Sequence, residues 1–118
     1  MAIKGNIGTI SAGGDRAHTD HHPAVTGSRS VKADNGEYPI GLIVKEDENG
    51  DLVPYLGDAD TDAPVAVVDE PVDTATETAA FTLEHGTVRG STLKIGEAGD
   101  PATAADIKKL ATIGIYAV

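Results

Sequence analysis

The chain has 118 residues and a formal net charge of −10, from 19 acidic against 9 basic residues, and it contains no cysteine. That balance argues against nucleic acid as a partner, because phosphate contacts need Lys and Arg, and against an anionic membrane surface; without thiols there is no disulfide framework and no thiolate chemistry. The length supports one domain plus an appended arm, and with three Tyr, one Phe and no Trp its core must pack small side chains tightly or borrow surface from a neighbouring subunit.

Residues 1–29 are mostly Gly, Ser, Thr, Ala, His and Asp, with Ile3, Ile7, Ile10 and Val25 as sizeable apolar side chains. No helical or strand period runs through them. They bury too little apolar surface to offset the entropy of ordering, so a flexible arm that orders on a larger partner is expected. Gly13-Gly14 divides it. Before the division, Ile3, Ile7, Thr9 and Ile10 are suited to an extended strand against a sheet edge offered by the partner. After it come His18, His21 and His22. No leading apolar core marks a signal peptide, and no apolar stretch reaches the length of a membrane span, so a protein that bypasses secretion is expected.

Residues 30–118 form the expected body. Residues 37–45 read as one strand, with Pro39 and Gly41 placing its start at an edge or bulge. Asn49-Gly50 predicts a type I′ hairpin turn, returning through residues 52–56. An acidic loop, 57–62, precedes a short buried strand at 64–69. Residues 78–84 and 87–95 read as a hairpin about His85-Gly86. Asp100 as N-cap and Pro101 at the first helical position predict a helix to about Ala111. Ala104, Ile107, Leu110 and Ala111 would share its buried face, and Lys108 and Lys109 fall where the helix dipole favours cations. A last strand lies within 113–118. The fold class is mainly β (α+β): a small barrel-like or β-tulip domain with one short C-terminal helix and a flexible N-terminal arm.

Candidate chemistry is sparse. His18, His21 and His22 resemble a metal cluster, but no Cys completes a structural set, and they read as solvated arm residues. Asp58, Asp60 and Asp62 alternate like a calcium loop with Asp69 at the twelfth position. Ala63 stands where that loop needs Gly and no helices flank it, so a solvated acidic turn is the better reading. The run 46–51 is a charged hairpin tip. Ser11, Ser28, Ser30 and Ser91 have no nucleophile-elbow context, and His85 sits beside Gly86. The chain is read as a non-enzyme without catalytic residues, metal or cofactor.

The order of the second half carries a resemblance. The buried strand PVAVVD is followed by the polar stretch TLEHGTVRGSTL, the helix ADIKKLA and the ending IGIYAV. In the arm, Asp15-Arg16-Ala17-His18-Thr19 is followed shortly by Pro23. Together these resemble the lambda-type head decoration proteins of tailed bacteriophages, over roughly residues 63–118 plus the arm motif. The resemblance implies a mostly β fold with a short helix, and a homotrimer at threefold and quasi-threefold positions on the outer capsid surface. Made in the host cytoplasm, it would stabilise the expanded head. It also implies an arm that orders on the major capsid protein by adding strand structure, and it joins Ala17, His18 and Thr19 to Ile3, Ile7, Thr9 and Ile10 as capsid-binding residues. The alternative is a small β-rich receptor- or glycan-binding module of a phage tail or surface structure, which needs an exposed aromatic platform.

Overall fold

A computed structural model describes residues 24–118. Its elements are β1 (Val25–Ser30), β2 (Glu37–Tyr38), β3 (Ile43–Glu46), β4 (Leu52–Pro54), β5 (Ala66–Val68), β6 (Val72–Asp73), β7 (Ala79–Val88), β8 (Lys94–Ile95), β9 (Asp100–Pro101), α1 (Ala104–Ala111) and β10 (Ile115–Ala117). The fold is mainly β with one short helix near the C-terminal end, as the sequence predicts.

The principal sheet runs β1-β7-β5-β3-β4, antiparallel at every step, and β10 adds to the end of β7 in parallel. Val31, one residue past β1, makes a parallel bridge to Leu52 in β4, and Lys32 N donates to Leu52 O at 3.2 Å. This contact joins the two ends of the path and rolls the sheet into a barrel. Side-chain alternation along the strands assigns two cores. Val44, Leu52, Ala66, Val68 and Ala80 face inward with Tyr38 and Leu42. Ile43, Val67, Leu83 and Val88 face outward, under Leu110 and Ile115. A sheet buried on both faces explains why residues 64–68 are apolar without alternation.

Leu83 and Val88 share the outer core although an uninterrupted strand would turn them to opposite faces. The extra residue is Glu84. Thr26 pairs with Leu83 and Val25 with His85, so Glu84 has no residue opposite it and forms a bulge.

Several expectations are corrected. The hairpin about His85-Gly86 does not exist: β7 runs through both residues, and Gly86 pairs with Ile115. Gly86, at φ 135°, serves a close approach instead, since a Cβ there would lie 3.3 Å from Ala24 Cα. The chain turns later, in a 3-10 turn at Gly90–Thr92. The single strand at 37–45 is two strands in different sheets, separated by Gly41 at φ 85°. The reversal at Asn49-Gly50 is present between β3 and β4, but only Gly50 of the pair has positive φ, which excludes type I′. Gly50 N donates to Asp47 O at 3.0 Å, and Asp47 Oδ1 accepts from the backbone N–H of Asn49 and Asp51, so the Asp47 side chain organises the tip.

The helix starts later than expected. Asp100 and Pro101 are β9, paired with β8, and the N-cap is Thr103. Thr103 Oγ1 accepts from Asp106 N at 3.3 Å, and Asp106 Oδ2 accepts from Thr103 N at 2.8 Å, a reciprocal capping box. The helix ends at Ala111 as predicted. Its inner face, however, is Asp106 and Leu110 with Ile107 packed alongside, while Ala104 and Ala111 are exposed.

The body also begins earlier. Val25 through Arg29, assigned to the arm, lie in β1 and pair with β7. Composition misses this strand because its side chains bury little, Val25 being 56% exposed. Main-chain bonds and the ion pairs of Arg29 with Glu84 and Glu46 hold it.

Candidate interaction surface

Ile3, Ile7, Thr9, Ile10, Ala17, His18 and Thr19 lie outside the described residues, as do His21 and His22. What the structure does place is the point where that segment enters the fold. Ala24 passes beside Gly86, and β1 then runs along β7. Thr26, Ser28 and Ser30 are exposed, as are Phe81 and Ala79 opposite the two serines. Gly27 and Arg29 turn the other way. Arg29 Nε donates to Glu84 Oε2 at 2.9 Å, NH2 donates to Glu84 Oε1 at 2.6 Å, and NH1 reaches Glu46 Oε2 at 2.9 Å. Thr82 Oγ1 also donates to Glu84. Gly27 leaves room for this carboxylate, since a Cβ there would sit 3.3 Å from Glu84 Oε2. The bulge at Glu84 therefore does two things: it re-aims the strand and it points a carboxylate at Arg29. Hydrogen bonding to Glu84 outweighs burial and holds the guanidinium pKa above its ordinary value. A bidentate, charge-assisted pair of this kind fixes orientation as well as contributing energy.

The acidic loop has its own internal cation. Lys45 Nζ donates to Asp60 Oδ1 at 2.7 Å, and Asp60 also accepts from Asp62 N at 3.0 Å and Leu56 N at 3.1 Å. Asp60 has 1% side-chain exposure, so it is not the solvated residue the sequence suggested, and its charge is matched by the Lys45 ammonium. No group of three or more His, Cys, Asp or Glu positioned to hold a metal ion is found among the described residues.

Burial alone would raise the Asp60 pKa. The hydrogen bonds from Lys45, Asp62 and Leu56 overcome that and hold it below the usual carboxylate value, while the hydrogen bond to Asp60 holds Lys45 above its own. A lowered carboxylate pKa stabilises the fold above about pH 4 and loses that contribution as pH falls through the folded value; a raised Lys pKa stabilises below about pH 10 and loses it as pH rises through the folded value. Asp60→Ala is expected to cost about 1–3 kcal/mol at pH 7. Urea melts of the two proteins should converge as pH is lowered through the carboxylate range. A constant gap would assign the loss to packing.

Elsewhere the geometry offers little chemistry. His85 lies over Gly114, where a Cβ would be 2.3 Å from its ring. His85 stands opposite Val25, whereas Ser28 and Ser30 stand opposite Phe81 and Ala79, so the register separates this histidine from both strand serines. A surface groove beside β2 and β6 has Tyr38, Ile40, Pro71 and Val72 in its walls, with Glu37, Asp73 and Glu77. Glu77 and Asp73 are engaged with the backbone N–H groups of Asp73 and Ala75.

The feature that sequence reasoning missed is apolar exposure. Val25, Phe81, Tyr116 and Val118 are between 44% and 58% exposed, and all lie on β7 or the segments paired with it. In the sequence Phe81 and Leu83 alternate as two core residues would, but of the two only Leu83 is buried, with Leu110. In comparisons with known proteins, no family model and no curated sequence matches this chain.

Proposed function

We propose that this chain is a structural virion protein that decorates and stabilises the outer surface of an expanded phage capsid. It acts as a homotrimer at threefold and quasi-threefold positions, and residues Ile3, Ile7, Thr9, Ile10, Ala17, His18 and Thr19 bind the major capsid protein. The observation that carries the reading is how the chain enters the fold. The segment with the family-like motif leads into β1, and β1 is pinned to the barrel by Arg29 and Glu84 rather than by core packing. A fixed root gives a docking arm a defined starting point, so less entropy is lost when it orders. Strand addition draws affinity from main-chain bonds, which suits a segment without a distinctive side-chain pattern, and threefold repetition adds avidity. A strongly acidic body suits an outer-surface role away from packaged DNA.

The receptor- or glycan-binding alternative needs clustered exposed aromatics. Tyr38 and Tyr55 are 1% exposed, and Tyr38 Oη is occupied in donating to Leu52 O at 2.8 Å. Phe81 and Tyr116 are exposed but lie on opposite faces of β7, as the register requires.

The test is co-sedimentation with expanded capsids of the cognate phage. The truncated form must stop at residue 23, because removing 1–29 also removes β1 and Arg29. Full-length protein is expected to bind saturably, and the form lacking residues 2–23 to melt normally but remain in the supernatant. Equal binding by both would move docking to the body. Binding by neither would favour the receptor-binding reading.

A further inference from the structure

We infer that the two exposed apolar faces of β7 are the two halves of one head-to-tail contact between copies of this chain. The first face is the outer surface of the β1–β7 ribbon, where Phe81, 56% exposed, stands among Thr26, Ser28, Ser30 and Ala79. The second lies past the bulge. Ile115 and Ala117 point into the outer core, so Tyr116 and Val118 point the other way, on the side of His85 and of Val25 opposite it. Tyr116 is 44%, Val25 56% and Val118 58% exposed.

Charge selects the occupant. Two copies that each carry a net −10 repel wherever their carboxylates face each other, and like-charge contacts oppose association. Phe81, Thr26, Ser28, Ser30 and Ala79 have no charged side chain, nor do Tyr116, Val118 and Val25. A foreign basic partner would be drawn to the acidic loops instead. These two surfaces let copies of the same acidic chain approach, each offering an aromatic anchor of the kind that dominates interface energetics.

Position selects the symmetry. The faces point away from each other across one strand, so a single neighbour cannot cover both. A contact joining two different patches is heterologous and closes into a ring when the rotation allows. The inference rests on the homotrimer of the proposed function and locates its contact.

The test uses the full chain without capsids, so a failure of capsid binding leaves it untouched. In sedimentation velocity the wild type should exceed the 12.0 kDa of one chain. Phe81→Asp and Tyr116→Asp should each sediment as monomers with wild-type circular dichroism, since each blocks one half of the same contact. Mixed in equal amounts, they should form a two-chain species from the intact Phe81 face of one and the intact Tyr116 face of the other. A monomeric wild type, self-association by either variant alone, or a mixture of folded variants that stays monomeric would each overturn the inference. Should Phe81→Asp fail to fold, Phe81→Ser mixed with Val118→Asp reads the same contact.

Discussion

Leu110→Asp should leave the domain without a cooperative melting transition at room temperature. Leu110 is 1% exposed, on the inner face of α1, in the core that also holds Ile43, Val67, Leu83 and Ile115. Removing a buried leucine side chain costs about 2–5 kcal/mol. The carboxylate adds several kcal/mol more if it stays charged without a partner, or less if it protonates and seeks one. A small domain has about 5–15 kcal/mol of total stability, so the substitution removes most or all of it. Leu110→Ala isolates the packing part and should lower the urea midpoint while preserving a two-state curve. Lys109→Asp, one residue away on the exposed face, should change stability by less than about 1 kcal/mol. An unchanged melt for Leu110→Asp would mean that the helix is not seated on the sheet.

What the sequence reveals and conceals follows the range of the forces involved. The strand at Ala66–Val68, the reversal at Asn49-Gly50 and the helix end at Ala111 each depend on local pattern and turn chemistry, and each is legible. The helix start is not, because Asp100 and Thr103 are both competent caps. The pairing of Asp100–Pro101 with Lys94–Ile95 decides between them. The strand at Val25–Ser30 is invisible to composition for a related reason: its partner is 55 positions away, in the Arg29–Glu84 pair. The same distance hides the bulge, without which Leu83 and Val88 would not share a core.

The surface follows the same logic. Phe81 is exposed while Leu83, two residues on, is buried with Leu110, and no local pattern encodes that difference. Asp60 reads as solvated because nothing near it in the chain announces Lys45. The arm motif is the opposite case. It is read from order and spacing alone, and its residues lie outside those the structure describes.

Gly41→Ala should cost about 2–5 kcal/mol, more than any other glycine replacement at a turn of this domain. Gly41 lies where three segments cross. Its N–H donates to Val68 O at 2.9 Å, its carbonyl accepts from Lys94 N at 3.0 Å, and it separates β2 from β3. Two costs add. At φ 85° any Cβ is strained, by about 1–2 kcal/mol. That Cβ would also lie 1.9 Å from the Thr92 carbonyl oxygen, and main chain cannot yield as a side-chain tip does. The segment 90–94 must shift, and overpacking of this kind costs about 1–3 kcal/mol. Gly50→Ala provides the control. Gly50 has nearly the same φ, 82°, but nothing lies within 4 Å of its Cβ position, so it should show the backbone cost alone. The difference between the two urea midpoints then measures the close approach of Gly41 to Thr92. Equal losses at both positions would show that the crossing opens without resistance and that the split of residues 37–45 into two strands rests on backbone conformation alone.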